Sequence, residues 1–193
     1  MTDAPAPAAP DPDPDSEAAT AQLYHAATRD PLTGLPNRHY FREAAERALL
    51  SAGRHLSAVT VLAVQVDGFE ALAARHGAAA GDAVLMRLGV LLEDRFRRSD
   101  LIGRLDQARF AVMLPGADRA AAHLLAGNLR DAVAADDGTG DGSSRRPLPP
   151  ITVCIGIAVA APDNQAALEP LLELAQEALD RARAEGPGRI AEL

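Results

Sequence analysis

The sequence predicts an α+β fold, an α/β sandwich in which helices cover a mixed sheet, and three observations carry that prediction. Short β-branched apolar runs, Val59 to Val66 and Ile151 to Val159, alternate with longer stretches whose apolar residues recur every three or four positions. Between them Leu101 and Ile102 face a second run, Phe110 to Leu114, across a few polar residues, which is the pattern of a hairpin. With 193 residues and 48% hydrophobic content the chain can bury one full core, so a single domain with a tail is expected.

Taken in order, residues 1–16 alternate Pro, Ala and Asp and have little to bury, so they are expected to form a disordered tail. Residues 17–29 turn to Ala, Gln, Leu and Tyr, with Leu23 and Ala27 four apart, and are expected to form a short helix, solvated, packed back on the domain or used as a dimer stalk. The folded domain is placed at 30–193. Its first stretch, Arg29 to Arg38, is dense in turn formers, with Leu32 and Leu35 as anchors and Asn37 as the cap of a helix carrying Phe41, Ala44, Ala45 and Ala48.

Val59 to Val66 is expected to be a central strand ending at Asp67-Gly68, followed by a short helix from Phe69 to Arg75 closed by Gly77. Gly81-Asp82 is expected to open the next helix, whose face is Val84, Leu85, Leu88, Leu91 and Leu92 and whose end lies near Arg95 to Arg98. The hairpin tip is expected at Asp106-Gln107. Gln is a poor turn residue, so an imperfect or enlarged turn is predicted there. Asp118 to Val133 reads as an Ala-rich helix, 134–150 as a polar loop, and Leu168 to Ala184 as a final helix stopped by Gly186-Pro187-Gly188.

Composition narrows the function classes. All 19 basic residues are Arg and the formal net charge is −8, which argues against non-specific nucleic-acid binding. The longest apolar run is too short to span a bilayer, and the tail has no hydrophobic leader. Cys154 stands alone inside an apolar strand, so it is expected to be a buried small hydrophobe, and the lack of intrachain disulfides fits the cytoplasm. His25, His39, His55, His76 and His123 have no ligand spacing, so no metal site is expected from them. Gly138 to Gly142 is followed by no Lys-Ser/Thr, and Arg145-Arg146 reads as a solvated pair.

Arg29-Asp30-Pro31-Leu32-Thr33-Gly34-Leu35-Pro36-Asn37-Arg38 resembles the opening loop of GGDEF domains, the diguanylate cyclases that condense two GTP into cyclic di-GMP. Gly77, Gly81-Asp82, Gly103-Arg104-Leu105, Phe110 to Pro115 and Ile155-Gly156-Ile157 follow in that family's order and spacing, over Asp30 to Gly188. The resemblance implies a nucleotidyl-cyclase-like sheet, mixed and largely antiparallel. It also exposes departures. The family signature Gly-Gly-Asp/Glu-Glu-Phe is replaced by Asp106-Gln107-Ala108-Arg109-Phe110, so Ala108 stands where a metal-ligating carboxylate is implied, and Gln65 stands at the other. Ala73 replaces a guanine-reading Asn and Glu70 a phosphate-binding Lys. Asp82 and Arg183 keep the implied guanine and phosphate contacts, while Gly186-Pro187-Gly188 displaces Arg189 from its phosphate role.

Phosphoryl transfer by this route needs divalent cations held by anionic oxygens, so the resemblance implies a cyclase that has lost its Mg²⁺ ligands. Asp67 is the remaining nearby carboxylate and is expected to face away from the site, since strand side chains alternate. Arg97-Arg98-Ser99-Asp100 matches the family's Arg-x-x-Asp product site, which implies a cyclic di-GMP contact through Arg97, Arg98 and Asp100, with Asn128 where an auxiliary Arg often lies and Arg130 close by. The alternative at those residues is an Arg-rich helix end with Asp100 capping the next turn. Three expectations follow: a catalytically inactive receptor or interaction module with no metal cofactor, a nucleotide-independent regulator of a protein partner or homodimer, and an atypical active cyclase using Mg²⁺.

Overall fold

The computed structural model describes residues 22–136, 149–162 and 167–193. The expected tail, most of the loop at 134–150, Gly138 to Gly142 and Arg145-Arg146 lie outside the described residues.

Residues 22–28 of the expected 17–29 helix are helical (α1), with Leu23 and Tyr24 exposed and not packed on the core; residues 17–21 lie outside the described residues. Asn37 caps α2 (Arg38–Arg54) by accepting from the Tyr40 N–H at 3.0 Å, as its position predicted. Then follow β1 (Val59–Val66), α3 (Phe69–His76), α4 (Ala78–Arg95), β2 (Leu101–Asp106), β3 (Arg109–Pro115), α5 (Arg119–Ala135), β4 (Val153–Ala160), α6 (Leu168–Ala184) and β5 (Ile190–Glu192). The strands form one sheet in the order β2-β3-β1-β4-β5, antiparallel except for the β4–β5 pair.

Strand alternation divides the apolar residues between two faces. On one, Leu62, Val64, Val66, Phe110, Val112, Ile155 and Ile157 pack with Val84, Leu85, Leu88 and Leu92 of α4 and Ala126, Leu129 and Val133 of α5. On the other, Val61, Ala63, Ala111, Met113 and Cys154 pack with Phe41 and Ala45 of α2 and Leu171, Ala175 and Leu179 of α6. Leu35 is buried and Leu32 packs beside it, so the first loop is anchored as its sequence predicts. Cys154 is fully buried, and burial pushes its thiol up to about 11, consistent with an inert core residue.

Three local expectations are corrected. The helix assigned to Gly81-Asp82 begins at Ala78, because Gly77 takes φ +92° and ends α3, while Ala78 to Ala80 are strong helix formers. Gly81 instead lies inside α4, where a Cβ would be 3.3 Å from the Phe69 ring and from Ala73 Cβ. The hairpin tip is Gln107-Ala108, one residue later than expected. The register moves from Arg104↔Phe110 to Asp106↔Arg109, so Leu105 is the extra residue of a bulge and the turn is irregular, as the sequence implied. The fourth strand runs Val153–Ala160, two residues inside its expected start, and β5 was not anticipated.

Candidate functional site

The ends of β1 and α6, the start of α3 and the hairpin tip enclose a cleft of about 400 Å³. Gln65 and Val66 bring the strand end to it, Gly68 to Ala71 form one wall, Asp106 to Arg109 a second, and Gln176, Asp180 and Arg183 a third. The last three recur at i, i+4 and i+7, so they form one stripe of α6. That periodicity was visible in the sequence, but nothing local tied Gln176 or Asp180 to the cleft.

The floor is neutral. Ala108 presents a buried methyl, and the Gln65 amide oxygen is buried with no hydrogen-bond partner among the described residues. Arg109 pairs directly with Gln65 across β1 and β3. Its guanidinium is ion-paired with Asp106 and donates to Gln176 Oε1 at 3.4 Å. The Arg109 hydrogen bond, helped by the Gln107 N–H at 2.7 Å, holds the Asp106 carboxyl below the usual carboxylate range. Asp180 accepts from Gln176 Nε2 at 3.2 Å and lies 3.5 Å from Arg183.

Asp67 is held elsewhere, but not by strand alternation, which would put it on the face of Gln65 two residues before; it follows the end of β1 and is turned by its hydrogen-bond partners. Its Oδ2 accepts from Thr152 Oγ1 at 2.6 Å and from the Gly188 N–H at 2.7 Å. Mg²⁺ demands near-octahedral oxygen coordination with anionic ligands, and it keeps several waters. Among the described residues no three His, Cys, Asp or Glu side chains converge to supply such a set. At the floor an amide oxygen and a methyl stand together; the carboxylates lining the cleft are not Asp67 but Asp106, engaged by Arg109, Asp180, beside Arg183, and Glu70 on the α3 wall. These residues do not fit a pair of divalent cations.

Other sequence-predicted residues lie apart from the cleft. Ala73 packs in the α3–α4 contact, and Asp82 is exposed on α4, neither lining the cleft. Arg189 is exposed, with its carbonyl accepting from the Ile155 N–H at 2.9 Å as the chain enters β5. Arg97 and Arg98 are exposed between α4 and β2. Asp100 is half-buried, and its Oδ2 accepts from the Arg97 N–H at 2.8 Å, so it does cap this turn. Asn128 is exposed, and Arg130 pairs with Asp131 at 2.7 Å.

An unanticipated brace positions the tip. Arg104 Nη2 donates to the Gln107 carbonyl at 2.6 Å while Nη1 reaches Asp30 Oδ1 at 2.8 Å, which also accepts from Thr33 Oγ1 at 2.7 Å. Burial works to raise the Asp30 carboxyl, but the Arg104 and Thr33 hydrogen bonds outweigh it and the net shift is downward. Its stabilisation is therefore present above the unfolded value and lost as pH falls through the lower folded value. Asp30→Asn is expected to cost about 2 kcal/mol in urea unfolding at pH 7. The difference from wild type should shrink below about pH 4. A difference that does not change with pH would remove the ion pair from the account.

The family described as diguanylate cyclase, GGDEF domain, matches residues 27–189. The chain belongs to the GGDEF family. This GGDEF domain is 36% identical over 174 residues to diguanylate cyclase TpbB of Pseudomonas aeruginosa, covering 90% of this chain and 39% of that protein. It therefore spans about two fifths of that relative's length. The coiled coil and GGDEF domain of DgcB from Caulobacter crescentus, solved in complex with c-di-GMP, superposes with a TM-score of 0.82 at 22% identity, covering 93% of this chain and 92% of that one. Diguanylate cyclase SiaD, solved with its activator SiaC from Pseudomonas aeruginosa, gives 0.79 at 24% identity, over 93% of this chain and 66% of that one. These two likenesses establish the fold. Among the described residues no helix is long and apolar enough to cross a membrane.

Proposed function

We propose that this degenerate GGDEF domain does not synthesise cyclic di-GMP and acts as a receptor or docking module that recognises it through Arg97, Arg98 and Asp100. The observation that carries the first half is the neutral cleft floor, where Gln65 and Ala108 offer no anion to a metal. The second half is supported by two exposed guanidiniums beside Asp100. Its Oδ1 is engaged by Ser99 Oγ at 3.5 Å, the outer limit of a hydrogen bond, which a stronger donor such as a guanine N–H displaces. A protein partner belongs to the same reading, in keeping with SiaD having been solved with an activator. So does a cytoplasmic setting, supported by the lone buried Cys154.

Titration calorimetry of the whole chain with cyclic di-GMP tests the receptor role. Arg97→Ala with Asp100→Asn keeps an acceptor for the turn and removes both charges, and is expected to weaken binding about 100-fold or more. Equal affinity in the double variant, or no heat with wild type, discards the receptor role and leaves a nucleotide-independent regulator. A second reading, an atypical active cyclase using Mg²⁺, is favoured by one observation: a relative at 36% identity is named a diguanylate cyclase.

A further inference from the structure

We propose that the outer face of α2, together with Tyr24 of α1, is the docking surface for this chain's own acidic N-terminal segment, Asp11 to Glu17. The inference is independent of the cleft and of any nucleotide.

Tyr40, Arg47, Leu50 and Arg54 recur at i, i+7, i+10 and i+14, so they fall within one stripe of α2, turned away from the buried Phe41, Ala45 and Ala52. Leu50 is 68% exposed there, and Arg47 and Arg54 are exposed with no ion pair among the described residues. Glu43, a carboxylate on the stripe, lies 3.5 Å from His39. α1 lies beside the start of the stripe: a hydrogen bond to Tyr40 holds the Tyr24 hydroxyl above its ordinary pKa, while Arg29 and Arg47 pull it down. Two residues past Arg54, Leu56 takes φ +49° with its side chain 71% exposed. That backbone region suits glycine, so a strained leucine held out in solvent points to a contact outside the folded core.

Charge and reach select the occupant. Residues 1–21 carry Asp3, Asp11, Asp13, Asp15 and Glu17 and no basic side chain, which complements the two guanidiniums. Arg47 and Arg54 are about 10 Å apart along the helix, at about 1.5 Å per residue. Asp11 to Glu17 span about 20 Å at about 3 Å per residue, and Glu17 stands five positions before Gln22, where α1 leads to Tyr40. Pro12 and Pro14 fix their own φ, which lowers the entropy lost on docking, and proline rings pack well on tyrosine faces. Tethering sets the local concentration on the order of millimolar, so weak contacts suffice. Docked in this way, the segment competes with any protein partner for the face.

The test is paramagnetic broadening in the full chain, isotope-labelled with ¹⁵N and carrying a nitroxide on Ala8→Cys; Cys154 is fully buried and takes none. Amide signals from Tyr40 to Arg54 are expected to lose at least half their intensity relative to the reduced nitroxide. Arg47→Glu with Arg54→Glu is expected to restore that intensity, and adding Asp11→Arg with Asp13→Arg to remove it again. Damage to α2 would not be reversed by changes in the tail, so the charge swap separates docking from misfolding. No broadening in the starting chain, broadening indifferent to the α2 charges, or no effect of the tail reversal overturns the proposal. Broadening between a nitroxide-bearing chain and a separate ¹⁵N chain without nitroxide also overturns it, by assigning the face to a second copy.

Discussion

Gly156→Val is expected to cost at least about 4 kcal/mol and to leave little folded protein. A Cβ at this position would lie 2.1 Å from the Ala175 carbonyl oxygen and 2.2 Å from the Leu179 backbone nitrogen, so α6 rests directly on bare strand backbone. Ordinary overpacking costs about 1–3 kcal/mol because side chains shift aside. Here the opposing atoms are helix backbone, and relief requires lifting α6 with Leu171, Ala175, Leu179 and Ala182 off the sheet. The gain in strand propensity, at most about 1 kcal/mol, does not offset this. Gly156→Ala should act in the same direction. Urea unfolding with an unchanged midpoint would show that α6 has room the structure does not indicate. Since α6 also carries Gln176, Asp180 and Arg183, the same contact sets one wall of the cleft.

Local chemistry made most of the fold legible. The Asn37 cap, the β-branched run at Val59, the Gly77 stop and the span of α6 depend on residues within a few positions of each other. What escaped depends on distant partners. β5 is three residues long, and it is held by parallel pairing to β4 and by Glu192, which meets Arg119 at 2.7 Å and His123 at 2.8 Å. The hairpin tip moved because the bulge at Leu105 became definable only once Arg104 was paired with Phe110.

The site divides in the same way. Gln65, Glu70, Ala108, Arg109 and Arg183 do meet in one cleft, and Asp67 does face elsewhere. The Asp30–Arg104 brace links residues 74 apart in sequence, and no spacing rule connects them. The Arg109–Asp106 ion pair was within reach, since an i,i+3 pair across a two-residue tip brings opposite charges together.

With GTP and Mg²⁺ or Mn²⁺, the domain is expected to form no cyclic di-GMP above a denatured control. Cations in phosphoryl transfer stabilise developing charge and orient the attacking hydroxyl, and losing about 4 kcal/mol of that stabilisation slows the reaction about a thousandfold. On the proposed reading, the neutral side chains of Gln65 and Ala108 leave no anionic ligand at the cleft floor, and Arg109, ion-paired with Asp106, occupies that carboxylate. Mass-spectrometric quantification of cyclic di-GMP after prolonged incubation of wild type, Gln65→Ala and Asp82→Ala tests this directly. The account predicts background levels in all three. Metal-dependent product from wild type that disappears in Gln65→Ala would contradict it.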